Sequence, residues 1–193
     1  MVLSGPDIVK CIEEGRLGFN PPVPPTAVTQ AAVDLKLGYQ FCRFKDAPVG
    51  TVHELLNDAL RWEAIEREAL AVHPGDFLLA QTLEWVSLGP DLVGFLQGRS
   101  SWARCGLMVS LGADKIDAGF QGNIVLEIVN LGPATVLLRP GFDHAVQLMI
   151  ARLSSALSSD QCYGARESDI CQRQSVPLPI LRHQGENNGP YKA

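Results

Sequence analysis

The sequence predicts a mainly β domain, a sandwich or barrel of short strands with a few short helices. Three observations lead there. Apolar runs recur at roughly 8–12-residue spacing. Proline and glycine turns divide them: His73-Pro74-Gly75, Gly89-Pro90, Gly132-Pro133 and Arg139-Pro140-Gly141. Within the runs, apolar and polar residues alternate with the period of a strand that has one face in a core. A chain of 193 residues, 46% apolar and 19% charged, is long enough to enclose one sizeable core.

In chain order, Pro6–Glu14 places Ile8, Val9, Cys11 and Ile12 on one side of a short helix, with proline near its start and Gly15 as its stop. The four prolines of Asn20–Thr26 require an extended, irregular loop. Ala31–Phe44 alternates and reads as strands, whereas Thr51–Ala71 fits a helical stripe at least as well as strands. The strands DFLLAQTLEWVSL, DLVGFLQG, NIVLEIVNL, ATVLL and HAVQLMIARL follow. After Ser154 the chain turns polar and loses periodicity. Residues 1–154 therefore read as the folded body and 155–193 as a tail that orders on something else.

Composition excludes several classes. No apolar run approaches 18 residues, so no membrane-spanning helix is expected. The N-terminus lacks signal-peptide features, which points to the cytoplasm. Five scattered cysteines without a C-x-x-C pair argue against a disulfide framework and a structural zinc site. A net charge of −5 without a Lys/Arg cluster argues against binding nucleic acid. The four histidines are scattered, no Walker, G-x-S-x-G or G-x-G-x-x-G motif is present, and the H-x-E…P-C-x-x-C pattern of zinc nucleobase deaminases is absent.

The stretch Gly98–Glu127 holds the residues a fold alone does not require. Gly98-Arg99-Ser100-Ser101 follows a strand and precedes one helical turn that Ser100 could cap. Its amides, hydroxyls and guanidinium suit phosphate oxygens, although for the motif alone an ordinary capped turn with a solvated arginine is the favoured reading. Ser100 and Arg104, four apart, project from one helical face, where arginine can steady an oxyanion or a water. Asp117 in the Ile116–Gly122 turn can accept from a sugar hydroxyl, and Phe120 offers a flat face to a deoxyribose; a plain hairpin turn is the alternative. Alternation sets Val125, Glu127 and Val129 opposite Ile124, Leu126 and Ile128. Glu127 thus lies either on an exposed sheet face or in a cleft, where burial would raise its pKa into a range suited to proton transfer.

Taken together, the order GRSS-x-x-R-x-G-L followed by ID-x-G-F-x-G-x-I-x-L-E, with DIVKCIEEGRLGFNPP and AAVDLKLG upstream, resembles the dCTP deaminase family, relatives of the trimeric dUTPases. The resemblance implies a distorted dUTPase-like β-barrel or jelly roll that forms homotrimers, with active sites at subunit interfaces and the tail closing over the nucleotide. It implies zinc-independent conversion of dCTP to dUTP and ammonia, Mg2+ carried on the triphosphate, and dTTP as a feedback ligand. By position, Glu127 matches the family's proton-transferring glutamate, and Ser100 and Arg104 match residues that position water. Arg99, Ser100 and Ser101 match phosphate contacts, the backbone at Ala113 a reader of the pyrimidine edge, and Lys115 a nucleotide contact. Asp117 matches the 3′-hydroxyl contact and Phe120 the aromatic that disfavours ribose, while Tyr163 and Gln174 match nucleotide contacts in the tail. Gly112-Ala113 stands where the family has Thr-Ala, and Ile170 and Cys171 where Lys and Tyr are expected. These departures leave open a bifunctional deaminase and dUTPase releasing dUMP and diphosphate, and a nucleotide-binding homologue with altered substrate or no catalysis.

Overall fold

The computed structural model describes residues 1–46, 49–51, 54–55, 62–66 and 68–165. Helix α1 (Gly5–Glu13) begins at Ser4, whose hydroxyl accepts from the Asp7 amide and donates to the Asp7 carboxylate, and Gly15 ends it at φ 70°. Ile8 and Cys11 are buried and Ile12 packs against the core, as the spacing predicts, but Val9 is exposed: it lies one residue off the i, i+3, i+4 stripe. The proline-rich stretch forms strand β1 (Leu17–Asn20), a cis Asn20–Pro21 bond and a single 3-10 turn at Pro25–Ala27.

The remaining strands are β2 (Val33–Phe44), β3 (Trp62–Glu66), β4 (Leu70–Val72), β5 (Phe77–Leu88), β6 (Leu92–Gly98), β7 (Leu107–Val109), β8 (Lys115–Ile116), β9 (Gln121–Asn130), β10 (Val136–Leu138) and β11 (His144–Arg152). Helix α2 (Ser100–Arg104) lies between β6 and β7. Residues 31–44, read as strands, form a single long one with an irregularity between Leu37 and Phe41. The segment 51–71, read as ambiguous, lies partly outside the described residues, and its described end forms β3 and the start of β4.

Paired strands run antiparallel throughout, in the order β7-β9-β5-β2-β11-β6-β8, with β1 also on β5, β3 also on β2, and β4 paired with β10. The two ends of that path, β7 and β8, are joined by residues 110–114 alone. Such a loop spans at most roughly 20 Å, so the sheet must roll until its edges nearly meet. Residues 99–106 bridge the same seam from β6 to β7, and a Cβ on Gly98 would lie 3.7 Å from the Val109 carbonyl oxygen. Inside the roll, Leu35, Leu37, Leu92, Leu96, Leu126, Ile128, Leu148 and Ile150 are fully buried. Among the described residues no helix is long and apolar enough to cross a membrane.

The sheet breaks register between Gln81 and Trp85 on β5, and polar side chains repair the ladder there. Thr82 Oγ1 donates to the Glu84 carbonyl (2.7 Å) and accepts from the Ile124 amide (3.0 Å). Asn123 Nδ2 donates to the carbonyls of Thr82 and Leu83, and buried Glu84 accepts the Lys36 amide at 2.9 Å.

The seam depends on one glycine. Gly106 has φ 88°, and a Cβ there would sit 2.3 Å from Gly132 Cα. Gly75 has φ 85° with nothing within 4 Å of an added Cβ. Gly75→Ala should therefore cost only the left-handed backbone penalty, about 1–2 kcal/mol. Gly106→Ala should cost clearly more, because two backbones must also move apart. Equal losses in denaturant titrations of the two variants would show that the close approach carries no weight.

Candidate active site

The elements around the seam carry most of the residues singled out from the sequence. β6 ends at Gly98, and Arg99 takes the position before α2 in extended backbone. Ser100 is not the cap expected: it is the first helical residue, Arg99 occupies the cap position, and no side-chain cap bond forms. The helix begins one residue earlier than a Ser100 cap would give. Ser100, Ser101 and Arg104 are exposed, so their hydroxyls and guanidinium face outward.

Arg99 is not a solvated surface arginine. Its Nη1 donates to Asp34 Oδ2 on β2 in an ion pair, and Asp34 Oδ1 accepts from Gln147 Nε2 on β11 at 2.8 Å. Asp34 and Gln147 are register partners on neighbouring strands, so Gln147 donates to the carboxylate that accepts from Arg99. One N–H of Arg99 is thereby fixed while its remaining donors stay available to an anion.

Beyond β7, the loop 110–114 has two residues with positive φ, Ser110 at 62° and Gly112 at 136°. The Ser110 amide donates to the Glu127 carbonyl (2.9 Å), the Leu111 amide bonds the Glu127 carboxylate, and the Asp114 carbonyl accepts from Leu96 on β6 (2.8 Å). Exposed Ala113 is thus carried on a loop anchored at one end to Glu127 and at the other to β6.

Glu127 is half-buried on the outward face of β9. The row across the sheet runs Cys42, Leu79, Glu127, and the first two belong to a small apolar cluster with Phe44, Phe77 and Val125. Loss of water against this cluster raises the Glu127 pKa, and its hydrogen bonds to backbone oppose the rise only in part. Burial pushes the Cys42 thiol up to about 11, so it adds no competing negative charge near neutral pH. Glu127 Oε2 is buried and finds no partner among the described residues.

At the start of β9, Gly119 (φ 81°) makes the turn, and Asp117 pairs with Lys115 at 2.7 Å, both exposed. The Asp117 carboxylate thus meets a lysine instead of its own turn. Phe120 is partly buried against the core and tilts against Tyr163, with ring centroids 5.3 Å apart. The Tyr163 amide donates to the Ala118 carbonyl at 2.8 Å, so the first part of the tail lies on this turn. Gln174, Ile170 and Cys171 lie outside the described residues.

The protomer therefore brings Glu127 together with the Ala113 loop, and Lys115, Asp117, Phe120 and Tyr163 with one another. Among the described residues no hydrogen bond or ion pair joins Ser100 or Arg104 to Glu127. No three His, Cys, Asp or Glu side chains among the described residues converge as metal ligands. Sequence reading missed Asp34 and Gln147, which hold Arg99, and Ser110. It also passed over Glu84, a second buried glutamate whose pKa burial raises, although it alternates within apolar β5 just as Glu127 does in β9.

The dCTP deaminase-like family profile matches residues 2–153. The chain belongs to this family. The dCTP deaminase of Natronomonas pharaonis is 37% identical over 192 residues, which cover 96% of this chain and 96% of that protein. The solved structure of 2′-deoxycytidine 5′-triphosphate deaminase from Agrobacterium tumefaciens superimposes with a TM-score of 0.62 at 21% identity. It covers 89% of this chain, and this chain spans 51% of that one, so the likeness is one of fold. The family match includes the seam, α2, the 110–114 loop and β9.

The environment of Glu127 has a signature in stability. Below about pH 4 the carboxyl is protonated in folded and unfolded chains alike. As pH rises, the unfolded group ionises first, because its pKa is the lower one, and stability falls until the folded group has ionised too. Glu127→Gln cannot ionise, so its thermal midpoint should pull ahead of the parent's as pH rises from 4 and level off once the folded carboxyl is charged. A gap independent of pH would contradict a desolvated carboxylate.

Proposed function

We propose that this chain is a hydrolytic deaminase of dCTP, giving dUTP and ammonia, with Glu127 as the proton-transferring group. The observation that carries the reading is the half-buried Glu127 carboxylate, desolvated on the sheet face, its Oε2 unpartnered, and fastened through Leu111 to the loop bearing Ala113. A carboxylate with a raised pKa can both take and return a proton near neutral pH. Water adds its oxygen to C4 of cytosine while Glu127 accepts one of its protons and passes it to N3. The remaining hydroxyl proton then moves through Glu127 to the 4-amino group. The C4–N bond breaks, ammonia leaves, and C4=O with N3–H remains. The carboxylate itself serves as the base, so zinc has no part in this scheme.

Supporting roles follow from position. Arg99, Ser100 and Ser101 offer donors to phosphates at the start of α2. Arg104 and Ser100 steady the water and the tetrahedral carbon, and the Ala113 backbone reads the base. Asp117, with Lys115, meets the 3′-hydroxyl, Phe120 lies against the deoxyribose, and Tyr163 and Gln174 belong to a tail, 155–193, that closes the site. Mg2+ accompanies the substrate, held by triphosphate oxygens. Because Ser100 and Arg104 make no bond to Glu127 within the chain, we place each site at the contact between subunits of a homotrimer, and sedimentation of the active enzyme as a monomer would contradict this. Scattered cysteines suit a reducing compartment, and we place the enzyme in the cytoplasm with dTTP as its feedback ligand.

The test is ammonia release from dCMP, dCDP, dCTP and CTP with the products separated by chromatography. Ammonia and dUTP from dCTP are expected; dUMP with diphosphate would instead make the enzyme bifunctional, and dCTP binding without ammonia from any substrate would make it a binding protein. Glu127→Gln should lower kcat by roughly 10²–10⁴-fold with nucleotide binding retained, and turnover undiminished in that variant rules out the mechanism. Asp34→Asn frees Arg99 and should raise KM for dCTP by about tenfold while kcat stays within about twofold, since the contact is made in ground and transition states alike. A matching loss for an unphosphorylated deoxycytidine would place Arg99 away from phosphate.

A further inference from the structure

Among the described residues, two buried side-chain polar atoms find no protein partner, Glu127 Oε2 and Ser110 Oγ. They are neighbours. β7 pairs with β9 as Leu107↔Asn130, Met108↔Val129 and Val109↔Ile128, so the next opposed pair is Ser110 and Glu127, joined by the 2.9 Å bond from the Ser110 amide to the Glu127 carbonyl. Leu107 and Val109 are buried in the core and Met108 is exposed, while Ser110 follows the strand at φ 62° and stays tied to Glu127 through its amide.

Elsewhere among the described residues the buried polar side chains are satisfied. Asn130 donates to Val72 and Ala134 and accepts from Gly132; Thr82 and Glu84 complete the break in β5; Gln81 bonds Gln40. Two unmet groups side by side are therefore an exception that asks for a polar guest. Ser110 is also the one residue other than glycine with positive φ among those described, a backbone penalty that the loop maintains. The Ser110 amide bonds the Glu127 carbonyl, but the hydroxyl has no partner among the described residues.

We propose that Ser110 is a further catalytic residue, its hydroxyl holding the attacking water together with Glu127. The inference rests on the reading of Glu127 as the base. Both acceptors are buried, unpartnered among the described residues, and carried by residues joined through the Ser110 amide and the Glu127 carbonyl. A water that donates one O–H to Glu127 Oε2 and the other to Ser110 Oγ has both hydrogens fixed and its lone pairs turned away from the sheet, toward an incoming base. Glu127 alone fixes one O–H and leaves the water free to rotate about it. Ser110 makes no covalent bond and transfers no proton; it removes that rotation.

The test compares Ser110→Gly, Ser110→Ala and Glu127→Gln with the parent enzyme. Glycine is at ease at φ 62°, so Ser110→Gly removes the hydroxyl and relieves the backbone at once. Both serine variants should lose about 10- to 100-fold in kcat, the worth of one hydrogen bond made in the transition state, with KM within about twofold. Thermal stability should not fall in Ser110→Gly, which a purely structural serine would not allow. The acidic limb of the kcat profile should also move upward, because Glu127 loses a polar neighbour. A Ser110→Gly enzyme as fast as the parent, while Glu127→Gln is inactive, overturns the role of Ser110 and leaves the deaminase reading standing. A parent that releases no ammonia from any deoxycytidine nucleotide overturns both.

Discussion

The closure of the sheet across its seam is the constraint on which the site depends. β7 and β8 stand at opposite ends of the strand order, yet only residues 110–114 separate them in sequence. That short tether forces the sheet to roll, and the rolling brings the end of β6 beside the end of β7. Every residue with a proposed chemical role near the seam is there because of it: Arg99 at the exit of β6, α2 in the crossing, Ala113 on the tether, Glu127 on the strand that β7 lines. The crossing is tight enough that Gly106 and Gly132 touch backbone to backbone. A wider barrel of the same strands would keep the core and lose the site.

Two buried glutamates show how the same physics gives different outcomes. Burial raises the pKa of both Glu84 and Glu127. Glu84 lies at the irregularity of β5, where a displaced ladder leaves the Lys36 amide without a strand partner, and its carboxylate takes that amide. It is structural, and its oxygen is committed. Glu127 lies where β9 is regular. Its own amide and that of Leu111, from the loop that leaves the sheet, bond its carboxylate, and Oε2 keeps no partner among the described residues. The oxygen left over is what separates the proposed base from a strut.

Much of this was legible in the sequence because it depends on local periodicity. The alternation in NIVLEIVNL gave the correct face to every residue of β9 from Ile124 to Val129, and turn residues marked the strand boundaries. The family pattern around GRSS and IDAGF gathered residues that singly were weak. What was not legible depends on contacts distant in the chain. Asp34 and Arg99 are 65 residues apart, and in AAVDLKLG an aspartate that anchors an arginine looks the same as one that faces water. Ser110 carries no signal at all, since its importance lies in a backbone angle and in the absence of a partner. The cap at α2 was misplaced by one residue because extended Arg99, paired with Asp34, takes the cap position and Ser100 is already helical.

The Arg99 anchor also explains how the seam can bear charge without loosening. An arginine meant for an anion is costly to hold ready, because its long side chain must be ordered before the ligand arrives. Asp34 and Gln147 do that ordering in advance, from two strands that are themselves in register at the centre of the sheet order. The half-buried pair keeps Arg99 from folding back onto exposed Ser100 and Ser101, so its remaining donors and their hydroxyls present one surface. Hydrogen-bond donors then stand at the start of α2, and the desolvated carboxylate stands on β9. A ligand anionic at one end and polar but uncharged at the other fits this division. Turned around, it would bring its anionic end to Glu127 and pay for the repulsion in a poorly hydrated setting, so the charge pattern of the seam selects the orientation before any contact to the base is made.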